Sequence, residues 1–146
     1  MYDIVIKVHI VVSTCFFISG VVLLTLSVAG WVNKKEGRMR QFNRFSIIFL
    51  TLLYLQLTTG LLLYFFLKPD ISASMTSLAE AMEKSALRFW AIEHVSLMIF
   101  ALILSQIGWL FIRHLKENVR KYKAASFYYG ISFLVVLTSA AMALFR

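Results

Sequence analysis

The chain has 146 residues, of which 60% are hydrophobic, with a mean hydropathy of +0.80 and one proline. A soluble domain has roughly 45–50% apolar residues, so a soluble globular fold is excluded and one lipid-surrounded helical domain is expected. The formal charge of +8 is the kind of balance that nucleic-acid binding or retention of basic loops on one side of a bilayer can produce, and where the charges sit decides between them.

Four apolar stretches reach the ~20 residues that span a hydrocarbon core of ~30 Å: Ile4–Val32, Phe45–Leu67, Phe89–Ile112 and Ala124–Phe145. Each is expected to be helical, because an isolated strand in lipid leaves its backbone polar groups unpaired. The predicted fold is an all-α, up-down-up-down integral membrane bundle. The first stretch carries Asp3 and Lys7 in place of a basic leader and is longer than a signal core, so it is expected to be retained. Cys15 is the only cysteine and lies inside that stretch. No disulfide framework or cysteine cluster is available.

The first link, Asn33–Arg44, holds five basic residues against Glu36, and the third, Arg113–Lys123, holds five against Glu117. Both are expected on the cytoplasmic side, with the two termini and the Lys68–Arg88 loop outside. This asymmetry accounts for the basic charge, so the expected partner is the lipid bilayer, in a bacterial inner membrane, and not nucleic acid. In the outer loop, Ser77 to Glu80 fits a capping box and Leu78, Met82 and Ala86 follow at helical spacing, which predicts a short amphipathic helix. Trp31, Trp90 and Trp109 stand near span ends as interfacial anchors.

Ionisable residues within a span are costly and face the bundle interior, which singles out His9, Glu93 and His94. The first and third spans run parallel, and each histidine lies five residues after its span begins, about 7–8 Å in at 1.5 Å per residue; counted back from Val32 and Ile112 their depths differ by five residues, so the register agrees only if the first helix is more tilted or extends further inward. His9 shares a helix face with Ser13 and Gly20, and His94 with Met98 and Ala101. Small residues on these faces either let helices approach closely or leave room for a planar macrocycle.

An intramembrane histidine either hydrogen-bonds a neighbouring helix or serves as a ligand, and one histidine from each of two parallel helices is the donor set of bis-histidine haem ligation. Haem b is the cofactor expected on this reading, with His9 and His94 as the metal ligands; the paired cysteines of a c-type attachment site are absent. Lys7, Lys68 and Arg88 stand at the outer end, as propionate partners or as solvated rim charges, with Arg88 the first choice. On the second span Gly60 and Tyr64 lie at the histidines' depth and are candidates to wall the pocket; Thr58 and Thr59 fit ordinary interhelical bonding. Glu93 points about 100° from His94, as a proton-handling group or a partner for another helix. His114 is expected in a solvated role, and the fourth span in packing.

Lys7-Val-His9-Ile, followed by an apolar helix, and Arg88-Phe-Trp-Ala-Ile-Glu93-His94 opening the third span resemble the short four-helix bacterial membrane proteins known as cytochrome b. The resemblance covers nearly the whole chain and implies haem ligation at His9 and His94. The layout is also similar to the wider group of copper-resistance membrane proteins and membrane-bound protoporphyrinogen oxidase. It departs from the oxidase, whose lysine and further histidine after the second ligand are replaced here by Ser96 and Gln106.

The functional expectation is one-electron transfer near the outer face, alone or as a subunit of a respiratory complex. The alternatives are a cofactor-free accessory subunit of a larger membrane assembly, and a membrane oxidase of porphyrinogen or quinone type in which Glu93 moves protons.

Overall fold

The computed structural model describes residues 1–34, 36–64, 82–83 and 88–145. Its framework is four helices: α1 (Tyr2–Asn33), α2 (Met39–Leu62), α3 (His94–His114) and α4 (Asn118–Leu144). All four are long and apolar enough to cross a membrane, so the chain is a multi-pass membrane protein. The helices extend beyond most of the apolar stretches, because a helix does not stop where hydropathy does. α1, with 32 residues, is about 48 Å long at 1.5 Å per residue, so its ends pass the hydrocarbon or the helix tilts. The short helix expected from Ser77, the span end at Leu67, and Lys68 lie outside the described residues.

The helices pack in ring order, α1 on α2, α2 on α3, α3 on α4 and α4 back on α1, so the two histidine-bearing helices α1 and α3 face each other diagonally. Short connections enforce neighbouring packing. Between α1 and α2, Lys34 turns the chain in the left-handed region at φ 51° before the 3₁₀ turn Glu36–Arg38. Between α3 and α4, Leu115 and Glu117 are extended.

The surface is apolar in the sense a bilayer requires. In the most hydropathic window of each helix only 22–28% of residues are buried, and Ile18, Ile103 and Leu134 lie more than half exposed, as in helices that are apolar all round and solvated by lipid. The buried stripe instead carries small and polar residues at three- and four-residue spacing. Ser27, Ser46 and Ser132 each donate to the carbonyl four residues back, at 2.8–2.9 Å. Their hydroxyls are thus satisfied within their own helix, and the small side chains admit close helix approach.

Toward the end with the basic links the interior is filled by rings. Phe16 packs on Phe49 with centroids 4.8 Å apart, Phe49 on Tyr129 at 5.4 Å, and Phe42 edge-on to Tyr122 at 5.0 Å, within the range for favourable aromatic pairs. At the same end Arg113 lies 4.5 Å over the Trp109 ring and Lys123 5.8 Å over Trp31, which ties two interfacial tryptophans to two basic residues. The aromatic plug ends at Phe16, the first fully buried residue of α1. Toward the termini the interior opens.

Candidate functional site

All four helices contribute to a cavity of about 520 Å³ at the end of the bundle that carries both termini, within the ~300–1,000 Å³ of small-molecule sites. His9 and Ser13 enter it from α1, Gln56 and Gly60 from α2, His94 and Met98 from α3, and Val136 and Ala140 from α4. The two histidines, 85 positions apart in sequence, therefore line one space.

His9 is held by a chain of hydrogen bonds whose directions follow from the oxygens. The Thr59 hydroxyl lies 2.8 Å from the Leu55 carbonyl, and two oxygens that close need a proton between them, which only Thr59 can supply. Thr59 then accepts from His9 Nδ1, 2.9 Å away. The imidazole is fixed as the Nδ1–H tautomer, with the lone pair on Nε2. By the same reasoning Ser13 donates to the His9 carbonyl at 2.7 Å, and accepts from Gln56 Nε2 at 2.6 Å. The second Gln56 amide hydrogen faces His9 Nε2 across a long 3.4 Å. Gln56 is 6% exposed, and its Oε1 has no hydrogen-bond partner among the described residues.

His94 is held in a parallel way. Its Nδ1 lies 2.8 Å from the hydroxyl of Ser139 on α4, a fully buried residue. Nδ1 is its only ring nitrogen with a hydrogen bond among the described residues, and Trp90 and Phe89 flank the ring at centroid distances of 5.3 and 5.9 Å. The chain reaches His94 through a π-helical turn, Phe89–Glu93, with the His94 N–H bonded to the Phe89 carbonyl five residues back. The wider turn rotates the residues that follow relative to a regular helix, and π turns inside helices are often found at functional sites.

Of the residues singled out from the sequence, His9, Ser13, Gly60, Tyr64, His94 and Met98 line the cavity. Gly60 backs the His9 ring, where an added Cβ would meet Cε1 at 3.4 Å. Gly20 and Ala101 are placed elsewhere. Gly20 receives the Phe133 ring, which would stand 2.5 Å from a Cβ there, and Ala101 is fully buried in the aliphatic and aromatic core. Arg88 lies beside the π turn, where its Nε donates to Glu93 Oε1 at 2.9 Å. Lys7 is exposed on α1. His114 is exposed and bonded to the Leu110 carbonyl at 2.7 Å.

Thr59, Gln56 and Ser139 were not distinguishable in the sequence as partners of the histidines. Of the two threonines expected in interhelical bonding, Thr59 makes such a bond, to His9, whereas among the described residues Thr58 bonds its own helix, at the Tyr54 carbonyl. The fourth helix, expected to serve packing, supplies the hydroxyl that orients His94.

Among the described residues no group of three or more His, Cys, Asp or Glu side chains is placed to hold a metal ion. The arrangement offers two imidazoles that line one cavity. The fold and site together define a class: a multi-pass four-helix membrane bundle with a two-histidine cavity near one end. Comparison of the chain with protein-family models, with curated proteins and with solved structures finds no match to any of them.

Proposed function

We propose that the chain binds haem b in this cavity through His9 and His94 and passes single electrons near the outer face of a bacterial inner membrane, alone or as a subunit of a respiratory assembly. The observation that carries the reading is that imidazoles from two diagonal helices line one cavity, with Nδ1 of each held by a hydroxyl of a neighbouring helix. Metal-binding histidines characteristically anchor the second ring nitrogen in this way, which fixes ring orientation.

The residues present fit the group. For His9 the lone pair is on Nε2, where it meets only the long 3.4 Å contact from Gln56 among the described residues, Gly60 leaves space beside the ring, and the walls at Leu57, Met98 and Val136 are apolar, as an uncharged macrocycle face requires. When bound, haem would supply a one-electron couple. The chain's own part is to hold two neutral imidazoles at set orientations, to exclude water with the apolar walls, and to bring a cation to the rim. Arg88, the rim cation nearest His94 in sequence, is shared with Glu93, so the pair presents less positive charge than a lone guanidinium. The placement of both termini outside rests on the basic residues gathered in the two opposite links.

Absorption spectra of the purified protein, oxidised and dithionite-reduced, with and without added haemin, test the reading. The expected result is a Soret band with sharp reduced α and β bands, altered in both His9→Ala and His94→Ala. A protein that stays colourless after haemin is added removes the cytochrome reading and leaves the cofactor-free accessory subunit in its place.

A further inference from the structure

The hydrogen-bond chain on α2 does more than anchor His9. Gln56 directs one amide hydrogen to Ser13 Oγ at 2.6 Å and faces the other toward His9 Nε2 at 3.4 Å, and its Oε1 stays buried without a partner among the described residues. Nε2 is the nitrogen whose lone pair would bind a metal. Flipping the amide does not relieve the orphan oxygen, because it would set Oε1 against Ser13 Oγ, whose only proton is given to the His9 carbonyl at 2.7 Å.

We infer that Gln56 is a latch on His9: it covers the Nε2 lone pair, and must release it before any electrophile, a haem iron included, can reach that nitrogen. The latch is poised to open. The 3.4 Å contact is long for an N–H···N hydrogen bond, and the buried Oε1, without a partner among the described residues, gains nothing from the closed position. Thr59 is unaffected by the release, since it holds the opposite ring nitrogen, so His9 keeps its orientation as the latch swings away. Among the described residues His94 has no such cover: its ring meets Ser139, Phe89 and Trp90. The two histidines are therefore unequal, with His94 open and His9 gated.

The role of the latch in cofactor uptake rests on the haem reading, but its action on His9 does not, and the test separates the two. The purified full chain is treated with diethylpyrocarbonate, which acylates unprotonated imidazole nitrogen, and the rate at each histidine is followed by mass spectrometry. In Gln56→Leu, and in the volume-matched Gln56→Met as a check on folding, the His9 rate should rise about two- to tenfold, the equivalent of one ordinary hydrogen bond, with His94 and His114 unchanged. An unchanged or slower His9 rate in both variants overturns the latch. Haemin titration of the same proteins is the second arm, in which both variants should take up haem faster than wild type. If neither wild type nor variants take up haem, the haem reading fails while the acylation rates still decide the latch.

Discussion

Nδ1 of His9 lies 2.9 Å from the Thr59 hydroxyl, and that hydroxyl is itself committed to the Leu55 carbonyl at 2.8 Å. A helix-internal bond on α2 thereby sets the tautomer of a side chain on α1. Thr59→Val keeps the shape and removes the acceptor, so the His9 ring loses its orientation and its Nδ1–H is left unpaired. Haem affinity should fall about 10–100-fold, the usual cost of removing such an outer partner, with the fold retained. Haemin titration measures the first and far-ultraviolet circular dichroism the second.

Ser139→Ala makes the equivalent change at His94. Because Ser139 is fully buried and on the helix without a histidine, the effect isolates orientation from ligation. A loss of similar size to that of Thr59→Val is expected, with an altered reduced α band. Unchanged affinity and spectrum would show that His94 does not need its anchor.

Gly60 tests the space beside His9. An alanine Cβ would meet His9 Cε1 at 3.4 Å, an ordinary contact, so Gly60→Ala should fold and bind haem close to wild type. Gly60→Leu extends three more carbons toward the cavity and should abolish haem uptake while thermal unfolding in detergent stays within about 1–2 kcal/mol of wild type.

Gly108 tests packing away from the cavity. A Cβ there would lie 2.4 Å from Tyr128 Cβ, an atom that no side-chain rotation can move away. Gly108→Ala should destabilise the bundle by about 1–3 kcal/mol through overpacking, despite alanine's better helix propensity. Gly37 has open space around it, and Gly37→Ala should leave the same unfolding transition within about 0.5 kcal/mol.

The Arg88–Glu93 pair is partly exposed, at 38% and 28% of the side chains. Ion pairs of that kind contribute about 0–1 kcal/mol. Arg88→Ala should therefore shift thermal unfolding little. On the haem reading it should still change the reduction potential, because a cation at the rim is removed; redox titration of the loaded protein checks this.

Much of the candidate site was legible because of a single physical fact: a histidine inside an apolar helix is expensive unless it faces the interior. His9 and His94 stood out on that ground, and their helix neighbours Ser13 and Met98 followed from the 100° rotation per residue and do line the cavity. The same rotation also carried Gly20 and Ala101, and there it was insufficient. Periodicity assigns a face but not a neighbour, and at those levels the facing space is taken by Phe133 and the core. Arg88 and Glu93, read from the sequence as a rim cation and a separate carboxylate, are joined across the π turn, whose extra residue no hydropathy pattern reports.

What the sequence alone determined was the number and helical nature of the spans, since transfer of side chains into lipid is a sum of local terms and a lipid-embedded backbone must pair with itself. Only the tertiary structure decided that α1 and α3 lie diagonally, that their histidines share one cavity, and that Thr59, Gln56 and Ser139 are the groups that touch them. Those outcomes depend on the rotation and contact of helices far apart in the chain, which are set by how Gly20, Gly108 and the buried serines let neighbouring helices close on the aromatic rings, and no single segment contains that information.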